Sequence, residues 1–379
     1  MQAVILVGGE GTRLRPLTET IPKPMMPVLN RPFLEHAFQH LRTHSVDEVF
    51  LALGYLPDAI EAHFGNGADI GISLHYSQEH KPMGTAGAIK LLQDKLKSTF
   101  IVCNGDIFTN LDITNMLSFH RERNSKTTIF LTPVENPSAF GVVETDHEGR
   151  VHRFIEKPAP SQITSKWING GIYLLEPEVL DGIPRDRHFM FERGLFPHLV
   201  ESGVPVYGYK DHPYWLDIGT PQSYLRLHAD LLYKDTVGDP FLYSNCVDCE
   251  IKPNALIKGP VLLGRGCRVE SKATIQGPVT IGPNCHIKAN ASIANSVIWP
   301  ETTVGAESVI EKSIVGRNVH IGSNVTIGAG SILADGVIVN DGASIEPGST
   351  LGSFEHILND QDILNLHAHS YPPYGRYYV

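Results

Sequence analysis

The sequence is poor in the features that mark secreted, membrane-bound or nucleic-acid-binding chains. Its five cysteines in 379 residues are too few for a disulfide framework. No apolar run approaches the roughly 20 residues that a bilayer-spanning helix needs. The first residues enter an apolar strand directly, without a basic leader or cleavage motif, so a soluble cytoplasmic protein without membrane partners is expected. An excess of basic residues is also missing. Thirty-one Lys and Arg against 41 Asp and Glu leave a formal charge of −10, which argues against a general nucleic-acid binder. An anionic ligand must therefore be met by local cations. Two common phosphate fingerprints are absent as well: there is no GxxxxGK[ST], and GxGxxG fails because Leu14 stands where its last glycine belongs. With 42% apolar residues and this length, a globular chain of two domains is expected.

What is present begins with Val4, Ile5, Leu6 and Val7, branched residues that read as a strand buried on both faces. They end on Gly8, Gly9 and Gly11, which let a ligand approach backbone N–H groups. Thr12, Arg13 and Arg15 follow, and Lys23 stands between Pro22 and Pro24. Amides beside fixed cations suit a polyphosphate. Strands alternate with helices from there: a helix over 33–44, a strand over 46–53, a helix over 57–64 and a strand over 72–76. A parallel sheet covered on both faces is expected, with ligands at the carboxyl ends of its strands.

Three further stretches carry polar groups at strand ends. Gly84-Thr85-Ala86-Gly87 opens a helix expected to reach Leu96, with small residues that permit close backbone approach or tight packing. The apolar run 100–103 leads to Asn104 and Asp106, and a second carboxylate, Asp217, precedes a helix starting near Thr220. One or two such carboxylates suffice for a magnesium ion bound to substrate phosphates, although a lone Asp there is more often a cap. Gly141 starts a strand, Glu156 and Lys157 end one in an ion pair, and Asn169 lies within a run leading to Ile172–Leu175.

The run GGEGTRLRPLT followed by PKP resembles the signature of the sugar-phosphate nucleotidyltransferases. The resemblance implies nucleotidyl transfer from an NTP to a sugar 1-phosphate with release of pyrophosphate, on a Rossmann-like domain with a mixed, mostly parallel sheet. By the same resemblance Arg13 and Lys23 are the catalytic cations. Leu6, Gly8, Gly9, Gly11, Thr12, Arg13, Gln78, Gly84, Thr85 and Asn104 bind the nucleotide. Gly141, Glu156, Lys157 and Asn169 hold the sugar phosphate, and Asp106 and Asp217 ligate Mg²⁺. The stretch 189–197 resembles the family's helix under the sugar and is expected to be structural. Together with PSxFGVV, NxGIY and WLDIGTP, the motifs are most similar to mannose-1-phosphate guanylyltransferases, implying GTP and mannose 1-phosphate. Uridylyl-, thymidylyl- and adenylyltransferases acting on glucose 1-phosphate share most of these motifs.

From Ile251 an aliphatic residue recurs at every sixth position to Ile293, through Ile298 to Ile310 after one slip, and from Val315 to Leu351 after another. Such a period with intervening glycines is a parallel β-helix, which by resemblance is left-handed. Domains are expected over 1–235 and 236–354, with a tail over 355–379. Cys249, Cys267 and Cys285 lie one coil apart and should stack inward as buried thiols, while Cys246-x-x-Cys249 lacks the second CxxC of a zinc site. His286 and His320 raise the alternative of a hexapeptide acyltransferase, but no loop is inserted between the hexads, and both are expected to face solvent. A regulatory subunit is a further alternative, yet none of the expected catalytic residues is missing. Association of solenoid faces suggests a homo-oligomer.

Overall fold

The computed structural model describes residues 1–233 and 246–359, which form two compact units. The first comprises Met1–Gly11, Ile21–Met26 and Pro32–Gly219; the second comprises Thr12–Thr20, Pro27–Arg31 and the described residues from Thr220 onward.

The first unit is built on a nine-stranded mixed sheet. Strand β1 (Gln2–Val7) lies between β2 (Glu48–Leu53) and β4 (Phe100–Asn104) and is parallel to both, and β3 (Ser73–Gln78) extends the sheet beyond β2. Ala3, Val4 and Ile5 are fully buried, as a central strand covered on both faces requires. The register sets Leu6 beside Asn104 and Leu53 beside Gln78, so Gly8, Gln78 and Asn104 share one carboxyl-end edge. The sheet reverses direction beyond β4, where β9 (Trp167–Leu175) pairs antiparallel with β4 and with β6 (Thr127–Pro133). A separate two-stranded ribbon pairs β5 (Ile107–Thr109) with β11 (Trp215–Asp217) and puts Asp217 opposite Ile107. The remaining strands are β7 (Gly141–Thr145), β8 (Val151–Glu156) and β10 (Val206–Lys210).

Helix α1 (Phe33–Thr43) buries Phe33, Leu34, Phe38 and Leu41 on its expected face, and α2 spans Pro57–Phe64. Helix α3 is shorter than expected, Gly84–Lys90. Tighter turns follow, with Leu92 N–H donating to the Ile89 carbonyl and Lys95 N–H to that of Leu92. These turns keep Leu92 and Leu96 in the core while Leu91 faces solvent, satisfying the same apolar pattern without a continuous helix. Helices α4 (Ile113–Glu122) and α5 (Phe196–Glu201) complete this unit.

In the second unit α6 (Pro221–Leu232) starts at an N-cap Thr220 whose hydroxyl accepts from Ser223 N–H. The solenoid has three parallel sheets of seven, six and six short strands, with rungs such as Val269–Ile287–Val304–Ile321–Val339 stacked in register. The hexad series therefore lines its interior, and a rung at His356–Ile357 continues it past Leu351. Ile251 and Ile257 remain 47% and 38% exposed because, among the described residues, the first coil has a stacked neighbour on one side only. Cys267 and Cys285 are fully buried and donate to the carbonyls of Gly282 and Trp299. Cys249 and its neighbour Cys246 both lie against the Gly264 carbonyl, at 3.3 and 3.1 Å. His286 is held by Glu270 at 2.7 Å and His320 is exposed, as expected of outward positions. Within the expected tail, positions 360–379 lie outside the described residues.

Candidate active site

The carboxyl-end edge of the first sheet gathers the charged groups. Gly105 N–H donates to the Leu6 carbonyl at 2.9 Å, and Ile218 N–H donates to the Asp106 carbonyl at 3.1 Å. These two bonds draw the ends of β1, β4 and β11 together and bring Asp106 and Asp217 to one place. Lys23 completes the cluster, with Nζ 2.8 Å from Asp106 Oδ2 and 3.8 Å from Asp217 Oδ1. It is 7% exposed, so its ammonium is compensated by carboxylates instead of water. The lysine lies on a single 3-10 turn, Lys23–Met25, preceded by Pro22 and containing Pro24, which leaves the segment little freedom.

Gly8 and Gly9 are exposed, and Gly11 adopts φ +63°. Among the described residues a Cβ at Gly9 would meet nothing within 4 Å, so the turn has open space beside Gly9. Thr12 and Arg13 continue it in a 3-10 turn of the second unit, and both are exposed. Asn104 Oδ1 is buried and meets no donor among the described residues. Buried polar atoms left so are uncommon and suit a site that takes a polar ligand. Gln78 is exposed at the end of β3.

The glycines of the Gly84–Gly87 turn admit the chain's own backbone. Gly84 has φ +72°, and a Cβ there would fall 2.8 Å from the Phe189 carbonyl oxygen; one at Gly87 would fall 3.0 Å from that of Arg187. The N–H groups of Ala86 and Gly87 both donate to the Phe189 carbonyl. Close packing, the second reading of these glycines, is what the geometry displays. Thr85 ties the same two segments together, accepting from Phe191 N–H at 2.9 Å and donating to Glu192 Oε2 at 3.1 Å.

Glu192 was not legible as a site residue. The stretch expected to be a structural helix opens with a π-helical turn, Phe191–Leu195, a distortion that recurs at functional sites. Glu192 is mostly buried there, and burial raises its pKa above the ordinary glutamate value. Burial likewise raises the pKa of Glu156, and the charge of Glu192 pushes in the same direction. The available signal was a carboxylate, followed by Arg193, inside the largely apolar run Phe189 to Phe196, where a buried charge needs a reason.

Glu156 and Lys157 do not form the expected closed pair. Glu156 is half-buried at the end of β8, whereas Lys157 turns at φ +49° and is exposed. Asn169 stands at a bulge in β9, its Oδ1 accepting from Gly171 N–H at 3.0 Å and its Nδ2 donating to the buried Tyr173 hydroxyl at 2.8 Å. Gly141 begins β7, and a Cβ there would come within 3.0 Å of Glu156 Oε2. The glycine thus leaves room for that carboxylate. Gly170 is fixed by Phe130, whose ring would lie 2.3 Å from a Cβ at this position.

Among the described residues no group of three or more His, Cys, Asp or Glu side chains could enclose a metal ion. Asp106 and Asp217 supply hard oxygen donors only, which fits a divalent cation that takes its remaining ligands from substrate phosphates and water. Among the described residues no helix is long and apolar enough to cross a membrane.

Residues 2–234 match the nucleotidyl transferase family, and residues 242–345 match the EIF2B subunit epsilon LbH domain, a left-handed β-helix. A Mycobacterium tuberculosis protein named mannose-1-phosphate guanylyltransferase is 39% identical over 70% of this chain and 76% of its own length. An Arabidopsis thaliana protein named probable mannose-1-phosphate guanylyltransferase 2 is 37% identical over 85% and 92%. A Synechocystis protein named UTP–glucose-1-phosphate uridylyltransferase is 36% identical over 84% and 88%. Among solved structures, a putative glucose-1-phosphate thymidylyltransferase from Bacillus anthracis aligns with a TM-score of 0.56 at 26% identity, over 62% of this chain and 96% of its own. HddC from Yersinia pseudotuberculosis complexed with GMP-PN aligns with a TM-score of 0.52 at 30% identity, over 60% and 97%. Since the first match spans more than half of the sequence and these relatives pair along most of their length, the chain belongs to the nucleotidyl transferase family.

Proposed function

We propose that this enzyme transfers the guanylyl group of GTP to mannose 1-phosphate, giving GDP-mannose and pyrophosphate. The observation that carries the reading is Lys23 held between Asp106 and Asp217 at the carboxyl-end edge of the sheet from which the glycine turn leaves. The names of the Mycobacterium and Arabidopsis relatives support the choice of base and sugar. A phosphate oxygen of the sugar 1-phosphate attacks the α-phosphorus, the bond from that phosphorus to the bridging oxygen of the β-phosphate breaks, and pyrophosphate leaves with the electron pair. The nucleophile is already an anion, so no general base is needed and catalysis is positioning and charge neutralisation.

In this reading the amides of Gly8, Gly9 and Gly11 with Thr12 and Arg13 receive the leaving phosphates. Lys23 meets the α-phosphate. Leu6, Gln78 and Asn104 face the nucleoside, with the tightly packed Gly84–Thr85 turn beside them, and Lys157 meets the sugar phosphate while Gly141, Glu156 and Asn169 frame the sugar. Asp106 and Asp217 would hold the divalent cation of this family, here Mg²⁺, which when bound offsets the charge between the two anionic substrates. The absence of a membrane-crossing helix among the described residues and the phosphorylated substrates are compatible with a cytoplasmic setting. The exposed apolar residues of the first coil, Ile251, Leu256 and Ile257, are compatible with a homo-oligomer formed through the solenoid.

The test is pyrophosphate release from GTP, UTP, dTTP and ATP, each paired with mannose 1-phosphate and glucose 1-phosphate. GTP with mannose 1-phosphate should give the highest kcat/KM. A preference for UTP with glucose 1-phosphate would transfer the assignment to the activity named for the Synechocystis relative.

A further inference from the structure

We propose that Glu79 selects the base of the nucleotide, its carboxylate accepting from the N1–H and the 2-amino group of guanine; this rests on the guanylyl reading above. Glu79 follows Gln78 where β3 ends, and its N–H extends the pairing with β2 by donating to the Leu53 carbonyl at 3.2 Å. Gln78 is exposed, whereas Glu79 is half-buried. A Cβ on Gly8 would fall 3.8 Å from Glu79 Oε1 and 3.7 Å from the Gly54 nitrogen. That oxygen therefore lies beside the first glycine after β1, at the corner where β1, β2 and β3 end.

The other oxygen closes a turn. Glu79 Oε2 accepts from Met83 N–H at 2.6 Å, and the Met83 carbonyl accepts from Phe189 N–H at 2.8 Å. Lys81 Nζ donates to the Asp186 carbonyl at 3.1 Å. Two bonds thus tie this turn to the segment 186–189 and hold the carboxylate in place before a ligand arrives. Among the described residues Oε1 accepts no hydrogen bond. Closing the turn accounts for one oxygen and leaves the other toward Gly8. Burial raises the pKa of this carboxyl group, and the Met83 N–H and the charge of His188 oppose the rise.

A carboxylate distinguishes the four bases by charge and by donor pattern. Guanine presents two adjacent donors, N1–H and its 2-amino group, which match the two oxygens as a bidentate partner does. Uracil and thymine present one N–H between two carbonyl oxygens, and both of those would face a negative charge. Adenine sets an acceptor, N1, beside a single amino donor. Guanine is favoured twice, by what the carboxylate accepts and by what it repels. An amide in its place offers one acceptor and one donor, a pair that uracil matches through N3–H and O4 and that ignores the 2-amino group of guanine.

The experiment measures pyrophosphate release with mannose 1-phosphate and GTP, ITP or UTP in wild type, Glu79→Gln and Glu79→Ala, with Tm alongside. ITP lacks only the 2-amino group, so its kcat/KM in wild type should be about 10- to 100-fold below that of GTP, the scale of one bidentate base contact. Glu79→Gln should bring GTP and ITP together and raise UTP relative to GTP. Glu79→Ala should lower GTP without raising UTP. The KM for mannose 1-phosphate should stay within about twofold throughout, because only a contact to the base changes. Equal use of GTP and ITP by wild type would overturn the proposal without any variant. So would a Glu79→Gln enzyme with lowered Tm and wild-type nucleotide ratios, in which Glu79 only closes its turn. If wild type preferred UTP to GTP, the guanylyl reading would fall first, and this inference with it. If wild type preferred GTP and the ratios survived the substitution, the inference would fall alone.

Discussion

Replacing Lys23 by methionine separates the two things its ammonium does. Methionine preserves the unbranched apolar stem but removes the charge from between Asp106 and Asp217, which are 35% and 22% exposed. Breaking a fully buried pair costs about 3–5 kcal/mol. Partial exposure of both acids brings the expectation to about 2–3 kcal/mol, since solvent screens what remains. Turnover should fall by at least about 100-fold, the scale of losing one preorganised group aimed at developing charge. The informative control is Lys23→Met with Asp106→Asn. Removing one carboxylate relieves the repulsion, so the double variant should regain most of the lost stability in a urea titration while its pyrophosphate release stays as low as in the single variant. Mg²⁺ should also raise Tm more in Lys23→Met than in wild type, because two uncompensated carboxylates bind a divalent cation more tightly. Recovery of turnover together with stability would mean that the lysine serves the fold alone, and the reasoning about its chemistry would be refuted.

Three further outcomes follow from other parts of the first unit. Burial, reinforced by the neighbouring His44, lowers the pKa of His40 to about 4 against the opposing pull of Asp112 and the Leu111 backbone. The folded state then binds fewer protons than the unfolded one, so up to about 3 kcal/mol of stability should be lost as pH falls from the usual histidine value through about 4; His40→Gln should flatten that limb of the stability–pH curve. For Glu192 the sign is opposite, because a raised carboxyl pKa makes stability decline as pH rises. Glu192→Gln, which retains an acceptor for Thr85, should lose less Tm than wild type between about pH 5 and about pH 8, and an identical slope would contradict its burial as a charge. Gly84→Ala should destabilise by about 1–3 kcal/mol, since the added Cβ meets the Phe189 carbonyl oxygen and the residue must hold φ +72°; a neutral effect in thermal unfolding would deny that contact.

Much of this was legible because it rests on local chemistry. Four branched residues running into glycines specify a buried strand with an open turn, and a six-residue period specifies a stacked coil whatever its surroundings. Asp106 and Asp217 could be named singly, but their meeting depends on the pairing of β5 with β11, a long-range register that no local pattern encodes. Lys23 was visible between its prolines, whereas its near-complete burial was not. Glu192, which was missed, owes its position to a neighbour distant in sequence, Thr85. The shortened α3 is likewise a tertiary outcome laid over a correct apolar pattern.

The most direct measurement is a structure of the enzyme crystallised with GDP-mannose and Mg²⁺. The diphosphate should lie between the Gly8–Gly11 turn and Lys23, the metal on Asp106 and Asp217, and the mannose against Glu156 and Asn169. Nucleotide density on the solenoid, or a metal that touches neither aspartate, would contradict it.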